Sequence, residues 1–179
     1  DKAMKAAERS ALLTRQMLAY AGKSVQDVRE INMTNLVRLL EEMLKSSAPK
    51  TAHLEFDLLD DIPNFLGDSG EMQQVVLNLV TNASESLESG HGEIRITTGV
   101  RYCDKDLLSR SMLPEKPVPQ NMVLLEVADN GVGMEAEALN RLFDPFYTTK
   151  FLGRGLGMSV VHGVVKGHRG AIIVDTHKG

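Results

Sequence analysis

The sequence is poor in the residues that crosslink small secreted domains or build large aromatic cores. It has one cysteine, Cys103, and no tryptophan, and aromatic residues make up only 4% of its 179 residues. A single cysteine excludes an internal disulfide and a cysteine-rich zinc site. No apolar run approaches the ~18 residues that span a bilayer, and no signal-peptide pattern opens the chain. These absences predict a soluble protein of a reducing compartment, the cytoplasm, although a longer parent protein could carry a membrane anchor elsewhere.

Charge and composition exclude further classes of protein. The net charge is -4 and the pI is about 5.7, so the chain lacks the excess of positive charge that nucleic-acid binders use. Hydrophobic residues make up 42% of the chain, which excludes wholesale disorder. At roughly 150 residues per domain, the length suits one domain with an appendage. We therefore expect a globular domain that does not bind nucleic acid.

The first 23 residues have the pattern of a helix. Small or apolar residues and one threonine recur at a spacing of three and four, namely Met4, Ala7, Ala11, Thr14, Leu18 and Ala21. This seam predicts either a terminal helix that lies on its own domain or one arm of a helical bundle. Gly22 ends the helix, and residues 24–33 are interpreted as a linker.

The rest of the chain alternates between helical and strand patterns. Helices are predicted over residues 34–45, from residue 68 to about 87, over 135–142 and over 158–166, and strands over 53–58, 64–67, 93–98, 122–128 and 171–176. Residues 102–120 contain three prolines and are interpreted as an exposed loop with at most a short helix. The first half favours antiparallel strand pairs, in which 64–67 returns beside 53–58. The pattern as a whole predicts an α+β fold with helices on one face of a sheet.

Two asparagines lie four residues apart in the helix that begins at Asp68. Asn78 and Asn82 therefore project from one face, which is not the apolar face. Asparagine within a helix is mildly unfavourable because its side chain competes for backbone hydrogen bonds. Amide oxygens at this spacing suit a magnesium ion that keeps several waters and bridges nucleotide phosphates. On spacing alone, two solvated asparagines are an equally good interpretation.

Two glycine-containing segments are typical of nucleotide sites. Residues 129–134 (DNGVGM) follow a predicted strand, and they form either a simple turn or a ligand-binding carboxylate beside glycines that admit a flat ring. Residues 153–157 (GRGLG) precede a predicted helix, whose free N–H groups favour phosphate. Lys150 would add a cation there, although a flexible loop and a solvated lysine are the simpler interpretation.

In combination, the motifs resemble the ATP-binding catalytic domain of bacterial sensor histidine kinases, a branch of the GHKL ATPase superfamily with the Bergerat fold. Residues 71–83 resemble the N box, 129–134 the first glycine box, 142–150 the F box and 153–157 the second glycine box. The resemblance implies a two-layer α/β sandwich with a mixed, mostly antiparallel sheet over residues 34–179, without its last strand. Residues 7–18 resemble the second helix of the dimerisation and phosphoacceptor hairpin, which the helix of residues 1–23 would then form.

The resemblance also implies a role for each residue of the site. Asp129 would bind the adenine amino group, and Gly131 and Gly133 would shape the base pocket. Asn78 and Asn82 would hold Mg²⁺ on the phosphates of ATP. The residues that would contact the phosphate tail are Thr148, Thr149, Lys150, Gly153, Arg154, Gly155, Leu156 and Gly157.

Two further features are the F box and Glu85, which lies three residues after Asn82. By the resemblance, Phe143 and Phe146 would anchor a short ATP lid around Phe151 and Leu152. Glu85 faces the same side as Asn82, but no role follows for it.

Asn78 stands where gyrase-like and Hsp90-like ATPases of the superfamily carry the glutamate that activates water. An asparagine is a poor general base, so the resemblance implies slow hydrolysis and transfer to another acceptor. Transfer would depend on positioning and on neutralisation of charge by Mg²⁺ and Lys150. Asn78 and Lys150 are therefore the expected catalytic residues.

The expected acceptor is a histidine that is followed by an acidic residue. None of the five histidines has that neighbour, so the acceptor would lie on a hairpin outside this segment. The implied partners are this hairpin, the receiver domain of a response regulator and a second copy in a homodimeric parent. The alternatives are a nucleotide-gated binding module without transfer activity and a GHKL-type ATPase.

Overall fold

The computed structural model describes residues 27–87, 90–149 and 155–178, and the predicted helix of residues 1–23 lies outside them. The elements in chain order are β1 (Val28–Ile31), α1 (Met33–Ser47), β2 (Ala52–Leu58), β3 (Phe65–Asp68), α2 (Ser69–Ser86), β4 (Gly92–Cys103), α3 (Lys105–Ser109), β5 (Gln120–Asp129), α4 (Ala136–Asn140) and α5 (Gly157–Gly167). None of these helices is both long and apolar enough to cross a membrane.

A mixed three-stranded sheet forms one layer of the fold. Its central strand, β4, is parallel to β2 and antiparallel to β5. Ile94 and Ile96 on one face of β4 are fully buried, whereas Glu93 and Arg95 on the other face are exposed. This alternation is expected for a sheet that turns one face to a core.

Three helices cover the buried face of this sheet. Val37 and Leu44 of α1 and Val76 and Val80 of α2 are fully buried, and they join residues of α5 and the isoleucines of β4 in one hydrophobic core. Full burial of such a side chain contributes roughly 1.5–3 kcal/mol. The predicted α+β class, with a mixed sheet and helices on one face, is confirmed.

The start of α2 is fixed by a capping residue. Oδ1 of Asp68 accepts hydrogen bonds from the backbone N–H groups of Gly70, at 2.8 Å, and Glu71, at 3.0 Å. The backbone N–H of Asp68 donates to Nε2 of His168, at 3.3 Å, so the end of α5 is joined to the start of α2. The predicted start of this helix is therefore confirmed, and its cap also aligns two helices.

The predicted pairing of residues 64–67 with 53–58 is wrong. β3 instead pairs in antiparallel fashion with β1, whose residues 28–31 belong to the segment interpreted as a linker. β2 pairs with β4 in parallel, so the connection between them is a crossover that contains α2. The prediction that the first half of the chain forms only antiparallel strand pairs is therefore wrong. The turn after β2 explains the difference, because left-handed Asp61 (φ 55) and Pro63 carry the chain away from β2.

Two further predicted segments differ from expectation. Residues 171–176 form no strand, because their backbone finds isolated loop partners instead of a ladder. The N–H of Met112, for example, donates to the carbonyl of Ile172 at 2.7 Å. Residues 102–120 are less exposed than expected. The predicted short helix, α3, is present, but Leu108 and Leu113 are buried.

Candidate functional site

A polar stripe runs along α2 at a spacing of four residues. Its members are Gln74, Asn78, Asn82 and Ser86, and all four are half-buried. Side chains four apart in a helix lie above one another on the same face. Only the two asparagines were predicted as site residues, although Gln74 and Ser86 continue the same spacing on either side of them.

Asn78 is held between α2 and the first residue of α5. Its Nδ2 donates to the carbonyl of Gly157 at 3.1 Å, and its Oδ1 accepts from Nε2 of Gln74 at 3.1 Å. Because a carbonyl can only accept, Gly157 assigns the orientation of the Asn78 amide, and Asn78 then assigns that of Gln74. A Cβ on Gly157 would lie 3.5 Å from Oδ1 of Asn78, so the two segments are in van der Waals contact. The structure thus brings the N box and the second glycine box together.

The N-terminus of α5 is uncapped where it meets Asn78. Leu156, which precedes the helix, makes no side-chain hydrogen bond to it. The first N–H groups of a helix have no partner within the helix, and they carry the positive end of its dipole. The hydroxyl of Ser159 donates its proton back to the carbonyl of Leu156, at 2.9 Å. This end of α5 is therefore suited to a phosphate.

Asp129 ends β5 and lies against the last residue of α2. Its Oδ1 accepts hydrogen bonds from the hydroxyl of Ser86, at 2.6 Å, and from the N–H of Gly131, at 3.0 Å. Within the described ranges, its Oδ2 accepts no hydrogen bond, and the residue is exposed. One oxygen of Asp129 is thus fixed by the protein, and the other is available to a donor on a ligand.

The glycines after Asp129 face the protein's own backbone. A Cβ on Gly131 would lie 2.2 Å from Oγ and 2.5 Å from the carbonyl oxygen of Ser86. Gly133 has φ +64, and a Cβ there would lie 1.8 Å from the carbonyl oxygen of His177. The missing side chains of both glycines make room for the chain itself, and their role in shaping a base pocket stays a prediction. They shape the turn that presents Asp129.

Alanine at Gly131 should weaken the junction between this turn and α2. The new methyl group would clash with the backbone of Ser86, so one of the two segments must move. We expect the free energy of unfolding, measured by urea denaturation, to fall by about 1–3 kcal/mol. Gly163→Ala in α5 is the matched control, because nothing lies within 4 Å of a Cβ there. It should stabilise by about 0.5–1 kcal/mol, as alanine does within helices, and a loss equal to that of Gly131→Ala would contradict the contact.

The F box lies against α5 and against Gly155. The ring of Phe143 packs on that of His162 with 5.3 Å between centroids. Burial, and then the charge of Lys166, lower the pKa of His162, which favours an uncharged ring at this contact. The N–H of Phe146 donates to the carbonyl of Gly155 at 2.9 Å, and the side chain of Phe146 is 67% exposed. Phe143 therefore anchors the F box by packing, and Phe146 does so through its backbone.

The other predicted site residues are placed as follows. Asn82 is half-buried one turn after Asn78, and Gly155 and Leu156 lead into α5. Thr148 and Thr149 are exposed near the end of the F box. Lys150, Gly153 and Arg154, with the predicted lid residues Phe151 and Leu152, lie outside the described residues.

Comparisons with known proteins place the chain in a family. The family of histidine kinase-, DNA gyrase B- and HSP90-like ATPases matches residues 67–179. Sensor kinase CckA of Brucella abortus is 33% identical over 176 residues, which are 97% of this chain and 18% of that protein. Sporulation kinase E of Bacillus subtilis is 32% identical over 151 residues, which are 84% of this chain and 18% of that protein. The chain therefore spans about a fifth of the length of these curated relatives.

Solved structures show the same fold. Full-length ShkA in complex with AMPPNP has a TM-score of 0.64 at 20% identity, over 90% of this chain and 32% of that chain. The catalytic domain of histidine kinase ThkA has a TM-score of 0.56 at 24% identity, over 80% of this chain and 82% of that chain. These likenesses confirm the Bergerat fold. With more than half of its residues matched, the chain belongs to the family of histidine kinase-, DNA gyrase B- and HSP90-like ATPases, a family that binds ATP.

Proposed function

We propose that this chain is the ATP-binding catalytic domain of a two-component sensor histidine kinase. In this role it transfers the γ-phosphoryl group of Mg-ATP to a histidine outside the segment, from which a response regulator aspartate receives it. The observation that carries the proposal is the pair of junctions along α2, where Asn78 meets Gly157 and Ser86 meets Asp129. Relatives described as sensor and sporulation kinases support the proposal.

The residues at the two junctions fit the two ends of ATP. Oδ2 of Asp129 is an acceptor for the exocyclic amino group of adenine, and the uncapped start of α5 supplies donors for phosphate. Oδ1 of Asn78 uses one lone pair on Gln74 and keeps the other, and Asn82 adds a second amide one turn later. Magnesium held by these amides would neutralise charge on the phosphates, as Lys150 would also do.

Asn78 favours transfer over hydrolysis. Its Nδ2 already donates to Gly157, and an amide cannot accept a proton from water at neutral pH. The attacking group must therefore bring its own nucleophilicity, as an imidazole nitrogen does. That nitrogen forms the bond to the γ-phosphorus while the bond from phosphorus to the bridging oxygen breaks and ADP leaves. The domain contributes by positioning the phosphates and by neutralising their charge.

The partners of the reaction belong to the proposal as well. None of the five histidines precedes an acidic residue, which supports an acceptor on a separate hairpin. The parent protein would be a homodimer, in which this hairpin forms part of the dimer contact. The proposal places this domain in the cytoplasm, because the receiver domain of the response regulator must reach the phosphohistidine.

Phosphoryl transfer to the parent protein's own hairpin tests the proposal. Incubation of this chain with the isolated hairpin and ATP labelled at the γ-phosphate should give label on the hairpin that acid removes and alkali does not. A hairpin whose acceptor histidine is replaced by alanine is the control and should stay unlabelled. ATP binding without label would contradict transfer and favour a nucleotide-gated binding module. Rapid magnesium-dependent hydrolysis would instead favour an ATPase.

A further inference from the structure

The hydrogen bond from Ser86 to Asp129 points to a residue that sets base specificity. We propose that Ser86 is a positioning residue, which fixes the oxygen of Asp129 that meets the base and so makes the site prefer adenine to guanine. This inference depends on the proposed function, because it assumes that Asp129 binds the base.

Ser86 has one hydroxyl proton and two neighbouring acceptors. Its Oγ lies 2.7 Å from the carbonyl oxygen of Ala83 and 2.6 Å from Oδ1 of Asp129. A hydrogen bond to an ionised carboxylate is about twice as strong as one to a neutral carbonyl, and its usual length is about 2.5–2.7 Å. The proton is therefore directed at Asp129.

A second donor reaches the same carboxylate oxygen. The N–H of Gly131 lies 3.0 Å from Oδ1, so this oxygen has two donors that approach from different segments. Rotation of an aspartate about its last torsion is otherwise soft. With both donors present, the carboxylate plane is fixed, and Oδ2 keeps its lone pairs for the ligand. Without the hydroxyl of Ser86, only Gly131 would oppose rotation.

The orientation of Oδ2 decides which purine is accepted. Adenine has an amino donor at the ring position where guanine has a carbonyl acceptor. An oxygen that is fixed toward this position accepts a hydrogen bond from adenine, but it faces another acceptor in guanine. That mismatch leaves both groups unpaired and costs the complex with guanine its affinity.

Ser86 also couples the base end of the site to the phosphate end. Its carbonyl oxygen accepts from the N–H of Val132 at 3.1 Å, so both the side chain and the backbone of Ser86 hold the turn that carries Asp129. Asn78 lies eight residues earlier on the same helix, which is about 12 Å along the axis. Helix α2 therefore sets the distance between the group that meets the base and the group that meets α5.

Calorimetric titration of Ser86→Ala with three nucleotides tests the inference. We expect the affinity for ATP to fall about tenfold, as for the loss of a hydrogen bond to a charged group. Purine ribonucleoside triphosphate lacks the amino group, so the variant and the unchanged chain should bind it equally. The preference for ATP over GTP should shrink in the variant. Ser86→Thr keeps the hydroxyl and should keep the preference.

Ser109→Ala is the matched control for the loss of a serine near a helix end. The hydroxyl of Ser109 also donates back three residues, to Asp106 at 2.7 Å, but it does not contact a carboxylate. Equal losses for ATP and the unsubstituted purine would show that Ser86 only supports the fold, and this would overturn the inference. Asp129→Ala separates the two proposals. If that variant loses ATP while Ser86→Ala does not, only the inference fails. Normal ATP binding by Asp129→Ala would contradict the role of Asp129 at the base and with it the inference, whereas the proposed function fails only if the unchanged chain does not bind ATP or does not transfer phosphate.

Discussion

Asp129→Ala is expected to lower the affinity for ATP about 100-fold, the upper range for a hydrogen bond to a charged group. The substitution removes the oxygen that is available to the adenine amino group. It also leaves the N–H of Gly131 without its acceptor and the hydroxyl of Ser86 with the carbonyl of Ala83 alone. Calorimetric titration with ATP measures the loss. Glu126→Ala, on the exposed face of the same strand, is the control and should bind ATP normally. Normal binding by Asp129→Ala would contradict the role of Asp129.

Asp129→Asn should change the preferred base rather than only weaken binding. Two donors, from Ser86 and Gly131, meet the position of Oδ1, so the amide must place its oxygen there. Its NH₂ group then takes the position of Oδ2 and faces the base as a donor. This donor opposes the amino group of adenine but matches the carbonyl of guanine. We therefore expect the ratio of GTP to ATP affinity to rise, and a fall in both affinities with an unchanged ratio would contradict this geometry.

Local signals in the sequence were sufficient for α2. Asp68 lies directly before the helix and caps it through Gly70 and Glu71, which are its near neighbours in the chain. The apolar face of the helix, which the sequence distinguishes from the face of Asn78 and Asn82, is the buried one and includes Val76 and Val80. Both signals depend on spacing along one element, which a sequence contains in full.

Strand pairing was less accessible because it depends on distant segments. The turn residues Asp60, Asp61 and Pro63 indicated that residues 64–67 return as a strand, but they contained nothing to distinguish β1 from β2 as its partner. β1 itself is only four residues long and buries only Ile31, so its pattern resembles that of a linker. Residues 171–176 have the composition of a strand, yet a segment becomes a strand only where a neighbour supplies a ladder of hydrogen bonds.

The candidate site shows the same division between local and distant information. The motifs identified Asn78, Asp129 and Gly157, but not the hydrogen bonds that orient the two side chains. Gly157 lies 79 residues from Asn78, and Asp129 lies 43 residues from Ser86. The i+4 continuation of the stripe to Ser86 was visible in the sequence, whereas its contact with Asp129 required the fold. The sequence thus predicted the groups, and the structure added the hydrogen bonds that aim them.

Asn78→Asp is expected to reduce phosphoryl transfer to the acceptor hairpin about 100-fold, the scale of losing one positioned group that stabilises charge. The carboxylate would place an oxygen in the position of Nδ2, 3.1 Å from the carbonyl of Gly157, where neither group can donate. It would also add negative charge beside the start of α5, where the phosphates are proposed to bind. The free energy of unfolding should fall by about 1–3 kcal/mol, because an acceptor is left unpaired at the junction of α2 and α5.

The charge added by Asn78→Asp needs a control at a site of the same type. Asn121→Asp makes the same chemical change on an exposed position of β5, so it should leave both transfer and stability unchanged. Binding of ATP separates the two ends of the site, because Asn78→Asp leaves Ser86 and Asp129 intact and should keep the preference for adenine. Transfer by Asn78→Asp at the normal rate would show that the donor bond to Gly157 is not needed. Loss of the adenine preference would show that α2 had moved as a whole, and the assignment of Asn78 to the phosphate end would then fail.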